Sequence, residues 1–135
     1  MLYGTEHVER YLQTDGDEGY RWLRDTTILI LFTTGRSSGK QRRNALIYRD
    51  DADRHIVVAS KGGADQHPDW YLNLQADPHA QIQVKGDRID VRARDAAGEE
   101  RERLWKKMAE AWPQYDDYQQ KTEREIPIVV LETTG

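Results

Sequence analysis

The stretch Thr26-Thr27-Ile28-Leu29-Ile30-Leu31-Phe32-Thr33-Thr34 limits the folds open to this chain more than any other feature. Its β-branched and apolar residues predict a buried strand, and Ile28–Phe32 is far too short to cross a bilayer. The flanking sequence is cut into similar short pieces. Gly35-Arg36-Ser37-Ser38-Gly39-Lys40 predicts a turn, followed by strands over 41–49 and 55–60 separated by Asp50-Asp51-Ala52-Asp53. Ile82 and Val84, then Ile89, Val91 and Ala93, alternate with polar neighbours across Gly86-Asp87, which predicts a hairpin of 80–85 and 88–94. Ile128-Val129-Val130-Leu131 predicts a last strand.

Helices are expected between and around these strands. Val8, Tyr11 and Leu12 share one face of one or two short helices within 5–24. Pro68 opens a short helix carrying Trp70 and Leu74 that ends near Asp77-Pro78. Asp95 is placed to cap a helix running to about Trp112, acidic early (Glu99, Glu100) and basic later (Lys106, Lys107). A further helical stretch carries Tyr115 and Tyr118. The expected class is therefore α+β: a small closed or split β-barrel of about six mostly antiparallel strands with flanking helices. Closure removes exposed edges. The 135 residues suit a single domain over 1–135, with 1–25 as a helical N-terminal segment. The segment Met1–His7 lacks the basic and apolar regions of a secretory signal, so a cytoplasmic protein is expected.

Much chemistry is missing. With no cysteine, disulfides, thiolate metal sites and cysteine nucleophiles are excluded. His7, His55, His67 and His79 are scattered without metal-ligand spacing, so no metal site is expected. No G-x-S-x-G nucleophile elbow is expected, because Gly35-Arg36-Ser37-Ser38-Gly39 has that spacing but leads into a strand instead of a helix, and there is no G-x-G-x-x-G. If the chain is an enzyme, its difficult chemistry is expected to belong to a bound cofactor.

The charge pattern says what kind. The chain has a net charge of −4 and 24 acidic residues, yet none lies between Asp25 and Asp50. The same stretch holds Arg36, Lys40, Arg42, Arg43 and Arg49. Glycines that let backbone approach a ligand, serine hydroxyls and arginine forks together suit an anion. Ser60-Lys61-Gly62-Gly63 repeats the recipe where the third strand ends. The plain reading of each is a solvated turn. Trp112, Tyr115 and Tyr118 follow one another at intervals of three, and their neighbours are polar. Core packing is the ordinary role for such a stripe, but this company favours a pocket wall or lid. Two anion-seeking loops and an aromatic wall suit a planar cofactor with a phosphorylated tail.

Together with Arg42-Arg43-Asn44, Val57-Val58-Ala59-Ser60-Lys61-Gly62-Gly63, Pro68-Asp69-Trp70-Tyr71-Leu72-Asn73-Leu74 and Tyr115-Asp116-Asp117-Tyr118-Gln119, the turn Thr33–Gly39 resembles the deazaflavin-dependent nitroreductase family. This group of F420-dependent quinone and nitroimidazole reductases occurs in actinobacteria, and the resemblance covers roughly 26–132. It implies a split β-barrel related to FMN-binding folds, and coenzyme F420 as cofactor. Arg36, Ser37, Ser38, Arg42 and Arg43 would hold the phosphate and acidic tail. Asn44, Ala45, Leu46 and Ile47, with Val58, Ala59, Ser60 and Lys61, would border the deazaflavin ring. Asp69, Trp70, Tyr71, Leu72 and Asn73 would close over it. The implied reaction is hydride transfer to a quinone or nitroaromatic, with Tyr115, Tyr118 and Trp112 orienting the acceptor. Trp112 stands where nitroimidazole-reducing relatives carry a third tyrosine.

Two other readings compete. One is an FMN-dependent oxidoreductase on the same barrel; the other is a non-catalytic module that binds an anionic ligand. Nucleic acid is not an expected partner, because the overall acidity opposes phosphate binding. A lipophilic quinone would bring peripheral membrane contact.

Overall fold

The computed structural model describes residues 2–134; Met1 and Gly135, the two ends of the expected domain span, lie outside the described residues. Six antiparallel strands close a barrel in the order β2(Thr26–Thr34), β3(Gln41–Asp51), β4(Arg54–Val58), β7(Ile128–Thr133), β6(Asp87–Asp95), β5(His79–Val84), with β5 returning to β2. This is the expected split-barrel class. A two-residue strand, β1(Arg21–Trp22), is added at the start of β2 through Arg21 opposite Thr27.

The run that opened the sequence reading is β2, with the boundaries expected. It is buried on both faces because two different layers cover it. Leu29 and Leu31 point into the barrel with Val57, Ile82, Val91, Val129 and Leu131. Ile28, Ile30 and Phe32 point outward and pack under Val8 and Tyr11 of α1(Gly4–Thr14). β4 and β7 do the same on the other side: Ile56, Val58, Ile128 and Val130 face Leu104 and Met108 of α3(Gly98–Ala111). Each fully buried aliphatic side chain contributes about 1.5–3 kcal/mol relative to exposure. Trp70, Tyr71 and Leu74 of α2(Asp69–Ala76) join the barrel interior.

β3 is the exception, and it makes the site. From Gln41 to Tyr48 it pairs with β2, whereas β4 meets only Arg49, Asp50 and Asp51. The two strands diverge, so the backbone edge of the first eight residues of β3 is not used by β4. Asn44–Ile47 are only half-buried: Ala45 and Ile47 pack against the cluster under α1, and the rest of this stretch stays open.

Several local expectations are corrected. The N-terminal stretch holds the helix α1 and a short 3-10 helix over Leu23–Asp25, but residues 21–22 between them turn back as strand. The hairpin turn is Lys85-Gly86, not Gly86-Asp87, because Val84 pairs with Asp87. Asp95 does not cap α3; it ends β6 opposite Val129, and its carboxylate accepts the Tyr71 hydroxyl at 2.5 Å. The helix begins at Gly98 after Ala97, with no side-chain cap. Tyr115 and Tyr118 lie on α4(Gln114–Gln120), as expected.

An ion network ties α3 to the sheet. Asp51 accepts two bonds from Arg103, at 2.7 and 3.0 Å, and others from Arg54 and Lys107. Glu100 accepts from Arg94 at 2.6 Å and Arg54 at 3.0 Å. The Arg103 bonds hold the Asp51 carboxyl far below the ordinary carboxylate range, and Arg94 and Arg54 bring Glu100 to about 2. Both pKa values are depressed by folding, so the stabilisation is complete above the unfolded value near 4 and fades as pH falls towards 2. Asp51→Asn should therefore cost about 1.5–3 kcal/mol at pH 7, the scale of hydrogen bonds to charged groups, and flatten the acid limb. Urea midpoints measured between pH 7 and 3 check this; a variant that tracks wild type at every pH would show the network to be idle.

Candidate functional site

The gap between β3 and β4 opens into a cavity of about 510 Å³. Its floor is the half-buried strand Asn44–Ile47, and its far side is Val58, Ser60, Lys61 and Gly62. Trp70 and Asp69 close one end; Trp112, Tyr115 and Tyr118 stand at another wall. A second cavity of about 620 Å³ lies along the turn between β2 and β3, lined by Arg36, Ser37, Ser38, Arg42, Arg43 and Asn73 among others. Asn44, Asp69 and Trp70 line both, so the two spaces adjoin there. One is largely aromatic and apolar, the other polar and cationic. Both volumes fall in the roughly 300–1,000 Å³ range of small-molecule sites.

The polar cavity is built around Gly35. Its N–H donates to the Lys40 carbonyl at 2.7 Å and its own carbonyl accepts from Gly39 at 2.8 Å. A Cβ at Gly35 would lie 2.9 Å from Ser38 Oγ and 3.1 Å from the Lys40 carbonyl oxygen. Glycine lets the turn fold over itself without displacing the Ser38 hydroxyl or the Lys40 carbonyl. Asn73, buried at the end of this cavity, accepts from the Arg36 backbone at 3.2 Å and its guanidinium at 2.9 Å, and donates to Thr33. Arg36 also pairs with Asp69 at 3.3 Å. Arg42 and Arg43 differ: among the described residues neither has an ion pair or a side-chain hydrogen bond, and both line the cavity. Gly35→Ala should thus weaken binding of an anionic ligand at least about 10-fold, the equivalent of one hydrogen bond of ~1.5 kcal/mol, with the barrel intact. Ligand titration with circular dichroism tests this, and full affinity would show that the turn tolerates the methyl group.

The loop beside the aromatic cavity is held from behind. Arg124 donates to the carbonyls of Ser60 and Ala64 at 2.8 Å each and of Ala59 at 3.3 Å. Gly63, at φ +86°, permits α4 to come close: a Cβ there would lie 2.8 Å from the Tyr118 carbonyl oxygen. Nothing in Glu123-Arg124-Glu125 distinguishes Arg124 from a solvated charge in the sequence.

The aromatic wall is both core and cavity. Trp112 and Tyr115 are 8% and 5% exposed and pack with Leu104 and Met108. The Trp112 ring stacks on Trp22 at 5.8 Å and 22°, and its indole N–H donates to the Tyr118 hydroxyl at 3.3 Å. That hydroxyl donates onward to Gln114 at 3.2 Å. The Tyr115 hydroxyl has no partner among the described residues. Burial pushes its phenol well above the ordinary tyrosine range, so it remains a proton-bearing donor.

Of the residues expected at the site, Ala59, Tyr71 and Leu72 line neither cavity. Ala59 and Tyr71 are buried in the barrel core, and Leu72 packs against it. The rest come together. Sequence reasoning missed Tyr3, His7 and Trp22 on the aromatic side and Thr5 and Val8 on the polar side. The first elements of the chain thus reach both cavities. No group of three or more His, Cys, Asp or Glu among the described residues is placed to hold a metal.

A sequence profile of F420H2-dependent quinone reductases matches residues 3–133. The match begins well before residue 26, so the N-terminal segment is part of the likeness rather than outside it. A Mycobacterium tuberculosis protein named as an F420H2-dependent quinone reductase is 38% identical over 128 residues, covering 93% of this chain and 86% of its own. The solved structure of an F420H2-dependent reductase is 42% identical, superposes with a TM-score of 0.72, and is covered to 93% by 78% of this chain. A further solved structure, described only as a domain-swapped dimer, is 40% identical with a TM-score of 0.76, the match covering 94% of this chain and 95% of that one.

Proposed function

The chain belongs to the F420H2-dependent quinone reductase family, and from that premise we propose that it reduces quinones with coenzyme F420 held across the two adjoining cavities. It is an F420H2-dependent reductase. The observation that carries the assignment of the site is the junction at Asn44, Asp69 and Trp70, where an aromatic cavity meets a cationic one. A planar headgroup with an anionic tail fits that pair, and the cradle at Gly35 fits a closely approaching phosphate.

In this reading Arg42, Arg43, Ser37 and Ser38 hold the tail, while Asn73 and Asp69 keep Arg36 in place beside it. Asn44–Ile47, Val58, Ser60 and Lys61 border the ring, and the free edge of β3 offers backbone donors and acceptors to its heteroatoms. Ala59 and Leu72 act by packing, and Tyr71 by packing and its hydroxyl bond to Asp95. When bound, the reduced deazaflavin supplies a hydride. The chain's own work is to orient the acceptor against the ring, exclude water with Trp22 and Trp112, and donate from Tyr115 to the developing oxyanion.

A quinone is favoured over a nitroaromatic because the Trp112 N–H is already spent on Tyr118 and adds no free donor. No helix among the described residues is long and apolar enough to cross a membrane, so a lipophilic quinone would be met at the membrane surface.

Anaerobic mixing of reduced F420 with menadione tests the reading. Reoxidation of the coenzyme at catalytic enzyme concentration is the expected result, with affinity that weakens as salt rises. Tighter binding of FMN, or no turnover with any quinone, would overturn it.

A further inference from the structure

One buried polar side chain on the aromatic wall has no part in this scheme. His7, on α1, is 3% exposed and lines the cavity with Tyr3 and Trp22. Its Nε2 lies 2.8 Å from the Gly19 carbonyl oxygen. A carbonyl only accepts, so Nε2 bears the hydrogen and the neutral ring has its lone pair at Nδ1.

Nδ1 has no partner among the described residues. The one sealed, unpartnered side-chain nitrogen or oxygen among them is His55 Nδ1, so His7 Nδ1 stays open on a side chain that faces the cavity. The backbone is shaped for this arrangement. Gly19 sits at φ +100°, and a Cβ there would come within 2.9 Å of His7 Cδ2 and 3.0 Å of Nε2. Burying an imidazole costs more than burying an apolar residue unless its nitrogens are satisfied. Here the fold satisfies one and leaves the other for a ligand.

Resting on the quinone-reductase reading, we propose that His7 is the proton relay to the acceptor. A bound reduced coenzyme would supply both electrons as hydride and release its remaining proton to water. The reduced quinone then carries an oxyanion. The Nδ1–H bond of the imidazolium breaks and an O–H bond forms, giving hydroquinone and neutral His7; no electron moves in this step, and water restores the proton. Neutral Nδ1 in turn accepts a hydrogen bond from the hydroquinone hydroxyl. The other titratable or charged groups on this cavity wall are Tyr3, Lys61, Asp69, Tyr115 and Tyr118, with Arg24 over the Trp112 ring at 5.9 Å.

Two experiments test the relay. His7→Gln keeps an amide N–H for the Gly19 carbonyl but has no proton to relay; His7→Phe removes both. Each should lower kcat with menadione about 100-fold, the lower end for a positioned acid, while F420 affinity holds. Independently of coenzyme and turnover, 15N-histidine NMR of the wild-type chain should show the His7 Nδ1 resonance shift when 1,4-naphthohydroquinone is added anaerobically. A silent Nδ1 resonance overturns the relay, as does undiminished kcat in the folded His7→Phe variant. Loss of all menadione turnover in the wild type would instead remove the quinone-reductase reading beneath it.

Discussion

Replacing Arg42 and Arg43 together with alanine will nearly abolish coenzyme F420 binding while the barrel stays folded. Each arginine should contribute about 1.5–3 kcal/mol, the scale of hydrogen bonds to charged groups, or roughly 10- to 150-fold in affinity. The magnitude follows from what these side chains lack. Both are exposed on β3, and no carboxylate among the described residues pairs with either. Asp69, the acid that lines the same cavity, is bound to Arg36. No prior ion pair has to be broken when a phosphate arrives, so little of the gain is offset. Arg36→Ala should behave differently. Its guanidinium already links the turn to Asn73 and Asp69, so its loss would loosen the turn as well as remove charge. Deazaflavin fluorescence titrations at low and high salt measure all three effects. The double variant should lose both affinity and most of the salt dependence; a double variant with wild-type affinity would return this stretch to the solvated surface.

The sequence made these arginines legible because their signal is local: a turn, a run without acids and a strand start. β2 was legible to the residue for the same reason, since its apolar run is bounded by threonines at both ends and by a glycine after the last of them. The hairpin turn was misplaced by one residue because its cause is tertiary. Lys85 takes a positive φ of 55°, with its N–H donated to the Tyr11 hydroxyl at 2.7 Å and its ammonium over the Tyr20 ring at 4.8 Å. Those partners lie some seventy residues away. Asp95 looked like a cap, but pairing with Val129 and the Tyr71 hydroxyl claim it first.

The site shows the same division. Both glycine loops could be read, whereas Arg124 and His7 could not. Arg124 acts through carbonyls of a distant loop, and His7 faces the cavity only because the chain reverses at Gly19. The aromatic stripe offered two readings, core or cavity wall, and both hold. A small barrel has too few residues to keep the two functions apart, so Trp112 and Tyr115 seal the core on one side and shape the cavity on the other.

That double duty sets the last expectation, which separates the tyrosines. Tyr115→Phe should lower quinone reduction about 100-fold, near the 2.7 kcal/mol lower end for losing one preorganised donor to a developing oxyanion, and leave F420 affinity unchanged. Tyr115 is a buried residue, but its hydroxyl is not sealed and has no internal partner among the described residues, so nothing competes for its hydrogen. Tyr118→Phe should cost less, because that hydroxyl already donates to Gln114 and accepts from Trp112; freeing it requires breaking those bonds. Trp112→Tyr should not improve nitroaromatic turnover. The smaller ring would give up the stack on Trp22 and the bond to Tyr118, and a new phenol in a wall this buried would spend its hydrogen internally. Its melting temperature should fall with no gain in rate. Steady-state kinetics of the three variants with menadione and a nitroimidazole, beside thermal melts, measure each effect. Equal losses in the two phenylalanine variants would mean that Tyr115 has no privileged place over the acceptor. A Trp112→Tyr enzyme that melts like wild type and reduces the nitroimidazole faster would show that the indole is not the packing residue its stack implies.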